Sequence, residues 1–590
     1  MPDFSSRRKT ALLALGVTLV LALIQGVRGY ADLSATLGDT DDATRLVMVR
    51  DLLATGHWFD LHIARYQPPL GVDMHWSRLV DGGLAGLDLF FRLFVSPATA
   101  ETLMRLVWPL AWLFPMVLGA MLIARRLGGN GALLVGAIFI ACPAAIIQFR
   151  AGRIDHHNVQ IALTLLAIAG AVWADRRVWG GILAGIASGL LLAVGLEALL
   201  FAAAVGAVFA VRFVLDDTFA WAARRYGLSL ASTLFLAYAA QTPPWHWTLS
   251  VCDTLALNLL LGAGAAGLGL AYATTRPATS LGRRAGTMAI VGLVSAGLYL
   301  ALDPACLRGP FGGIDPRLYD IWLDHVAEIQ PWFSTLKSEP LTAFLLMIAP
   351  VMGLAAFALA MRHGELRRDP AWWVAGLMLL LATVSLLAMV RNANYAACLG
   401  AAVLGGAFAR LAPEDIRGRM VPAAIGAFVV SPSVVMLAVV VLKVALWPAE
   451  PEKAGKATAC AATAAYPNLA ALPPGLVLAP IDLGPRIIAN TAHSALAAPY
   501  HRMAFGILAA HDAFALTPNK AEPRLRELGV DYVVLCPGSG EAKKAPKKSL
   551  LAQLEAGMTP PWLTPVPAVP PLKIFQLAAP AKLLDATYSR

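Results

Sequence analysis

The sequence predicts a mainly α-helical polytopic membrane protein, with about thirteen spans and a C-terminal α/β domain outside the membrane. Three observations carry this expectation. The 590 residues are 58% hydrophobic and only 14% charged, with a mean hydropathy of +0.65, whereas soluble domains carry roughly a quarter charged residues. Apolar runs such as ALLALGVTLVLALIQG and PAAIGAFVVSPSVVMLAVVVL approach or exceed the roughly 20 residues that cross a hydrocarbon core of about 30 Å. They lack the short alternation of a transmembrane barrel. Beyond residue 447 the composition changes abruptly, starting with PAEPEKAGKAT.

Taken in order, the first apolar segment (10–27) follows SSRRK and shows no small-residue cleavage site, so it reads as a retained helix with a cytoplasmic N-terminus. Further spans are expected at 101–124, 131–149, 159–174, 179–196, 198–214, 227–243, 249–273, 286–302, 341–361, 371–390, 394–410 and 421–447. Alternation then puts Arg125/Arg126, Arg176/Arg177, Arg224/Arg225, Arg283/Arg284, Arg362/Arg367/Arg368 and Arg417/Arg419 on the cytoplasmic side. Basic residues concentrate there, and an error of one span would reverse every later cluster. The same topology explains the net charge of +10 without nucleic acid as a partner. The expected compartment is a bacterial inner membrane.

This layout divides the chain into a membrane domain, 1–447, with outer loops at 28–100 and 303–340, and a periplasmic α/β domain, 448–590. Within the latter, GLVLAPI and VDYVVLC read as strands flanking the helix-like EPRLRELG. The six cysteines show no metal-binding spacing, and Cys142, Cys252, Cys306 and Cys398 lie in or beside apolar segments. Cys460 and Cys536 both fall in the tail, where an extracytoplasmic location permits a disulfide.

The residues with chemistry gather on the predicted outer face. GDTDDATRLVMVRDLL places Asp39, Asp41 and Asp42 together just past the first span; three carboxylates this close suit a cation, or the first turn of a helix, where acids complement the macrodipole. GRIDHHNVQ sets Asp155, His156 and His157 between two apolar runs. Its Asp-x-His arrangement offers an oxygen and a nitrogen ligand for Mg²⁺ or Mn²⁺, or a polar helix cap. GIDPRLYDIWLDHVAEIQPWFS contributes Asp315, Asp320, Asp324, His325 and Glu328 among aromatic residues, as in a glycan or headgroup site or an interfacial helix. Arg391, alone between two spans, is either a snorkelling anchor or a phosphate ligand.

In this order and on this side, the elements resemble the GT-C membrane glycosyltransferases, and most closely the catalytic subunit of oligosaccharyltransferase in its archaeal form. The family's first motif, an aspartate followed six residues later by arginine, is matched by Asp39 and Arg45. Its Asp-x-His is matched by Asp155 and His157, its external-loop glutamate by Glu328 in AEIQP, and its phosphate-binding arginine by Arg391 in RNANYAA. The family's Trp-Trp-Asp-Tyr-Gly acceptor motif is missing: APIDLGPRIIAN keeps only Asp482 and Gly484 in position.

The resemblance implies transfer of a sugar or oligosaccharide from a polyprenyl-(pyro)phosphate donor to a glycan, lipid or protein acceptor, by inversion and with a divalent cation. Asp39, Asp155 and His157 would hold that cation, with Asp41, Asp42 and His156 as further candidates. Asp39, Asp155 and Glu328 would be catalytic, and Arg391 would bind the donor phosphate. Two alternatives stand beside this expectation. One is a polyprenyl-phosphate-monosaccharide transferase modifying a lipid or polysaccharide. The other is a transporter or flippase, for which Glu197 in AVGLEALL is the main intramembrane charge; near a helix end, Glu197 reads equally as a cap.

Overall fold

A computed structural model describes residues 7–275, 280–309, 311–446, 459–537, 545–568 and 570–578. The first helix, α1 (Arg7–Ala35), runs eight residues beyond the expected span end at 27 and leads to α2 (Thr40–Thr55), the hairpin β1 (His62–Ile63) and β2 (Val72–Asp73), and α3 (Arg78–Arg92). The long α4 (Pro97–Gly128) and α5 (Ala132–Ile140) follow. The segment expected to cross at 131–149 is bent by 77° between Ala132–Ile140 and Pro143–Phe149, because Pro143 starts a new helix and cannot donate its missing N–H to the old one. Then come α6 (His157–Trp173), α7 (Val178–Val194), α8 (Leu199–Leu215), α9 (Ala220–Gln241), α10 (Leu257–Ala273), α11 (Leu281–Leu302), α12 (Pro340–Met361), α13 (Pro370–Ala388), α14 (Ala393–Leu411), α15 (Met420–Val429) and α16 (Pro432–Leu446).

A helix or broken helix occupies each of the thirteen expected segments. Seven are long and apolar enough to cross a membrane by length and composition, or eight with the bent pair, so the chain is a multi-pass membrane protein. The span expected at 249–273 starts as helix only at Leu257; the preceding residues carry Asp253, which is tied to the tail. Small residues let the helices approach closely: a Cβ on Gly353 of α12 would fall 2.5 Å from the Gly400 Cα of α14. By contrast α11 buries only Arg284 and Ser295, leaving an apolar helix surface of the kind that faces lipid.

Two polar layers lie at opposite ends of these helices. At one end Arg126 of α4 binds Asp369 at 2.7 Å and Asp175 at 2.9 Å. At the other end of α4, Arg105 donates to Leu33 O and Thr36 O of α1. The basic clusters assigned to the cytoplasm belong to the first layer and the acidic motifs to the second.

The tail contains β3 (Leu476–Leu478), α17 (Gly484–Asn490), β4 (Ser494–Ala495), α18 (Ala504–Ala515), α19 (Pro518–Glu527), β5 (Val530–Leu535), β6 (Leu563–Val566) and β7 (Lys573–Leu577). The strands form one sheet in the order β4-β3-β5-β7-β6, parallel for β4-β3-β5 and antiparallel for the rest. The expected boundary at 447/448 lies outside the described residues. This sheet is joined to the segment between α2 and α3 by Ala495 N to Arg65 O and Gln67 N to Ala495 O, both 2.9 Å. Tyr500 adds bonds from its hydroxyl to Thr44 Oγ1 (2.7 Å) and Thr40 O (3.0 Å) on α2.

A second tie is the fork of Arg502 on Asp253, 2.7 Å to each carboxylate oxygen, with His501 Nε2 at 2.8 Å. Burial alone would raise the Asp253 pKa, but His501 and Arg502 outweigh it and hold the carboxyl well below the usual range. Its stabilising contribution is therefore complete above the ordinary aspartate value of 3.8 and is lost as the pH falls below it. Asp253→Asn is expected to destabilise the chain at neutral pH by about 2–3 kcal/mol, the usual value for charge-assisted bonds, and to flatten the acid limb of the unfolding-temperature profile.

Two disulfides, Cys252–Cys306 and Cys460–Cys536, lie on the side of the acidic motifs, while Cys142 and Cys398 are free and buried. The first pair joins segments that both flank apolar helices, which hides it from sequence spacing. Alkylation of the unfolded, unreduced chain is expected to modify Cys142 and Cys398 alone, and all six cysteines after reduction; four further thiols without reduction would place these loops in a reducing compartment.

Candidate active site

The site is built on the turn from α1 into α2. Gly38 has φ +81°, and a Cβ there would lie 2.3 Å from Asp42 Oδ2, so glycine alone fits. Asp39 then caps α2: its Oδ1 accepts from the N–H groups of Asp41 and Asp42, each at 3.0 Å, while Asp42 Oδ2 accepts from Asp39 N at 3.1 Å. The helix-start reading and the functional reading of the acidic cluster thus apply to the same residues.

Asp42 also fixes the second motif. Its Oδ1 accepts from Ile154 N (2.8 Å) and Asp155 N (3.0 Å), and Arg153 bridges Asp42 Oδ2 (2.9 Å), Asp39 Oδ2 and Gln148 Oε1. With both oxygens occupied and its side chain fully buried, Asp42 is a structural link and offers no open lone-pair direction to a cation. Burial pushes its carboxyl up to about 7 against the lowering effect of Arg153, with Asp39 and Asp155 adding to the rise.

Asp155 and His156 lead into α6, which begins at His157, at the end of the bundle that carries Arg105. His156 is held at both ring nitrogens, Nδ1 to Asp155 Oδ1 at 2.6 Å and Nε2 to Glu197 Oε2 at 2.8 Å, so it orients these carboxylates and presents no free lone pair. Burial would lower its pKa, but Asp155 and Glu197 raise it to about 10. Behind it, fully buried Arg45 binds Asp81 at 2.8 Å, lies 3.5 Å from Asp155 Oδ1 and stacks 4.3 Å from the Trp76 ring. Arg78 completes this brace on Asp81 at 3.0 Å.

The remaining residues converge from distant segments. His157 Nε2 is 3.3 Å from Asp155 Oδ2 and 3.8 Å from Glu328 Oε2. Arg391, in the turn before α14, is 3.2 Å from Glu197 Oε1 and 3.9 Å from Glu328 Oε1. That bond to Glu197 is the only hydrogen bond of the Arg391 side chain among the described residues, which leaves most of its guanidinium donors open. Asp41 receives none on its carboxylate among the described residues; burial and the nearby charges of Asp155, Asp39 and Glu328 raise its pKa well above the ordinary value.

The structure therefore brings together Asp39, Asp41, Asp155, His156, His157, Glu328 and Arg391, and adds Glu197. The signal for Glu197 was its isolation within an apolar run, which a cap reading also satisfies. Asp315 instead caps a turn between α11 and α12 by accepting from Arg317 N, while Asp320 and His325 line a cavity of about 1260 Å³ beside Asp39, Asp41 and Glu328. Ile481, Asp482, Arg486 and Phe514 form its tail-side wall. His501 and Arg502 are occupied by Asp253, as described above.

The donor set fits a divalent cation. Asp155 Oδ2 is buried without a hydrogen-bond donor, and Asp155, His156 and His157 bring their ligand atoms within 4.8 Å of one another. Asp155 and His157 supply the open positions, since His156 is engaged twice. Asp39 shares its second oxygen with Arg153.

No protein-family model matches the sequence, and no curated protein matches it. Solved structures do. The Archaeoglobus fulgidus oligosaccharyltransferase AglB, in complex with an inhibitory peptide and a dolichol-phosphate, superposes with a TM-score of 0.64 at 15% identity, over 88% of this chain and 69% of that one. The chain has the oligosaccharyltransferase fold. The same archaeal protein tethered to an acceptor peptide containing the NVT sequon gives 0.61 at 16% identity, over 88% and 68% of the two chains. Its complex with Zn and sulfate gives 0.61 at 16%, over 91% and 70%. Within this fold, the large cavity of this chain is lined on one side by Asp39, Asp41 and Glu328 and on another by Ile481, Asp482, Arg486 and Phe514.

Proposed function

We propose that the protein is a metal-assisted, inverting membrane glycosyltransferase, moving a sugar or oligosaccharide from a polyprenyl-(pyro)phosphate donor to an acceptor on the outer face of a bacterial inner membrane. The observation that carries this reading is the meeting of Asp155 and His157, Glu328 and Arg391 at one end of the bundle, beside a cavity large enough for an acceptor. The archaeal neighbour's complexes with a dolichol-phosphate and with an acceptor peptide support a lipid-linked donor and a separate acceptor. The gathering of arginines at the opposite end supports a cytoplasmic N-terminus and a periplasmic tail.

A divalent cation, Mg²⁺ or Mn²⁺, held by Asp155 and His157 with Asp39, would supply Lewis-acid stabilisation of the departing phosphate. Arg391 binds the same phosphate through its open donors and offsets the charge that grows as the anomeric carbon–oxygen bond breaks. Glu197 holds Arg391 and His156 in place. Glu328 and Asp39 orient the acceptor and take its proton as the new bond forms on the opposite face of the sugar, a role that needs a carboxylate within hydrogen-bond reach. Without the Trp-Trp-Asp-Tyr-Gly stretch, the tail selects its acceptor by other means, with Asp482 and Arg486 at the cavity wall.

Comparing glycans and glycolipids of cells with and without the gene tests this reading and identifies sugar and acceptor together. Glu328→Gln, at a side chain 43% exposed, is expected to fold normally and fail to restore the missing product, with transfer lowered ~10²–10⁴-fold. Full restoration would remove Glu328 from the reaction, and unchanged glycans in the deletion strain would overturn the transferase reading.

A further inference from the structure

A second pocket, of about 300 Å³, adjoins the large cavity through Asp39 and Arg486, at the end of α1 that leads into α2. It holds the volume of about ten water molecules. None of Asp155, His157, Glu328 and Arg391 lines it; its polar wall is instead four arginines, Arg105, Arg150, Arg153 and Arg486, with Asp32 and Asp39. Arg150 pairs with Asp32 at 2.7 Å, and Arg153 with Asp39 and, at 2.9 Å, with Asp42 behind it. Arg105, almost wholly buried, is answered by the carbonyl end of α1 through Leu33 O (3.0 Å) and Thr36 O (2.6 Å). Arg486 donates to Ala461 O (3.3 Å) and Gly38 O (3.0 Å). Neither of these two has a carboxylate within 4 Å among the described residues. Guanidinium groups gathered in a partly buried pocket with fewer carboxylates than cations are matched by an anion with several acceptor oxygens, and phosphate presents that geometry.

The position of the pocket names the source. At 1.5 Å per residue, about 20 residues of α1 counted from its first apolar positions cross the hydrocarbon core, so Asp32 and Thr36 stand at the outer headgroup level. On the way there α1 exposes Val20 and Ile24, which stand on the same i, i+4 row as Arg28 and Asp32, an apolar path that acyl chains can follow while their headgroup enters the pocket. Arg28, exposed one turn before Asp32, adds a further basic group at the approach.

We propose that this arginine pocket binds the phosphate of an anionic lipid in the outer leaflet. Because Asp39 and Arg486 line both pockets, the lipid's headgroup would extend toward the reacting centre as the acceptor; that consequence rests on the transferase reading, whereas the binding does not.

The test uses the full chain purified in a neutral detergent, titrated separately with dioctanoyl phosphatidic acid, dioctanoyl phosphatidylcholine and inorganic phosphate, with the unfolding temperature followed by tryptophan fluorescence. Saturable stabilisation by phosphatidic acid alone, weakened at least tenfold in Arg150→Gln and in Arg486→Gln, is the expected result. A wild-type response to phosphatidylcholine equal to that to phosphatidic acid overturns the proposal whether or not the variants fold. So does undiminished binding by the Arg150→Gln/Arg486→Gln double variant, and an equally strong response to inorganic phosphate overturns the lipid source. Glu328→Gln, inert in transfer under the proposed function, is expected to bind phosphatidic acid as the wild type does. Loss of the transferase reading therefore leaves the binding result standing, and loss of binding leaves the transferase reading standing.

Discussion

Asp155→Asn is expected to lower transfer by roughly 10³-fold, the range for losing a carboxylate that both binds a cation and orders the reacting groups, while membrane insertion and folding persist. Asparagine keeps the size of the side chain and can still accept from His156, which holds Asp155 Oδ1 at 2.6 Å. It removes the charge and the open lone pair of the buried Oδ2. Although burial opposes ionisation, His156, His157 and Arg45 hold the Asp155 carboxyl well below its ordinary range, so the wild-type group is charged at every working pH. The deficit in the variant is accordingly independent of pH, and a rate–pH profile parallel to the wild type, displaced downward, is the signature. Added Mg²⁺ or Mn²⁺ is expected to recover part of the rate, because His157 remains. More than a tenth of the wild-type rate at ordinary metal concentration would remove Asp155 from the cation site.

The second large effect is on stability. Arg45→Met is expected to cost about 3 kcal/mol, at the lower edge of the range for removing one partner of a buried ion pair, because Arg78 still answers Asp81 at 3.0 Å. Methionine approximates the packing on Trp76 but leaves Asp155 Oδ1 without its rear cation. The measured consequence is a fall in unfolding temperature together with loss of transfer. The double variant Arg45→Met/Asp81→Leu is expected to be no more stable than the single one and equally inactive, since it leaves buried Arg78 without its carboxylate and does not restore the support behind Asp155. A single variant as stable as the wild type would mean that Arg78 alone satisfies Asp81.

The spans were legible because the solvent imposes them: a run of apolar residues long enough to cross the hydrocarbon core has few alternatives to helix. Their interruptions were less legible. The 77° break at Ala141–Cys142 lies inside an apolar run whose hydropathy does not change, and the late helix start at Leu257 is set by Asp253 meeting Arg502 from a segment some 250 residues away. At the site, motif order and side identified Asp39, Asp155, His157, Glu328 and Arg391 as a group that the fold gathers. The division of labour inside the acidic cluster was not legible, because Asp39, Asp41 and Asp42 look alike in sequence. Only the backbone N–H groups of Ile154 and Asp155, placed on Asp42 by a distant loop, separate the structural carboxylate from its neighbours. Glu197 was ambiguous for a related reason: a single acid near a helix end caps or catalyses according to what faces it.

The bonds from the backbone N–H groups of Ile154 and Asp155 to Asp42 have a consequence for anyone exchanging parts between proteins of this fold. The register of α2 sets the position of Asp155 through two hydrogen bonds, so the loop 28–100 and the joint 148–158 form a single transplantable cassette. A graft that carries either piece alone would separate a donor pair from its acceptor at the floor of the site, and only a chimera carrying both preserves the alignment.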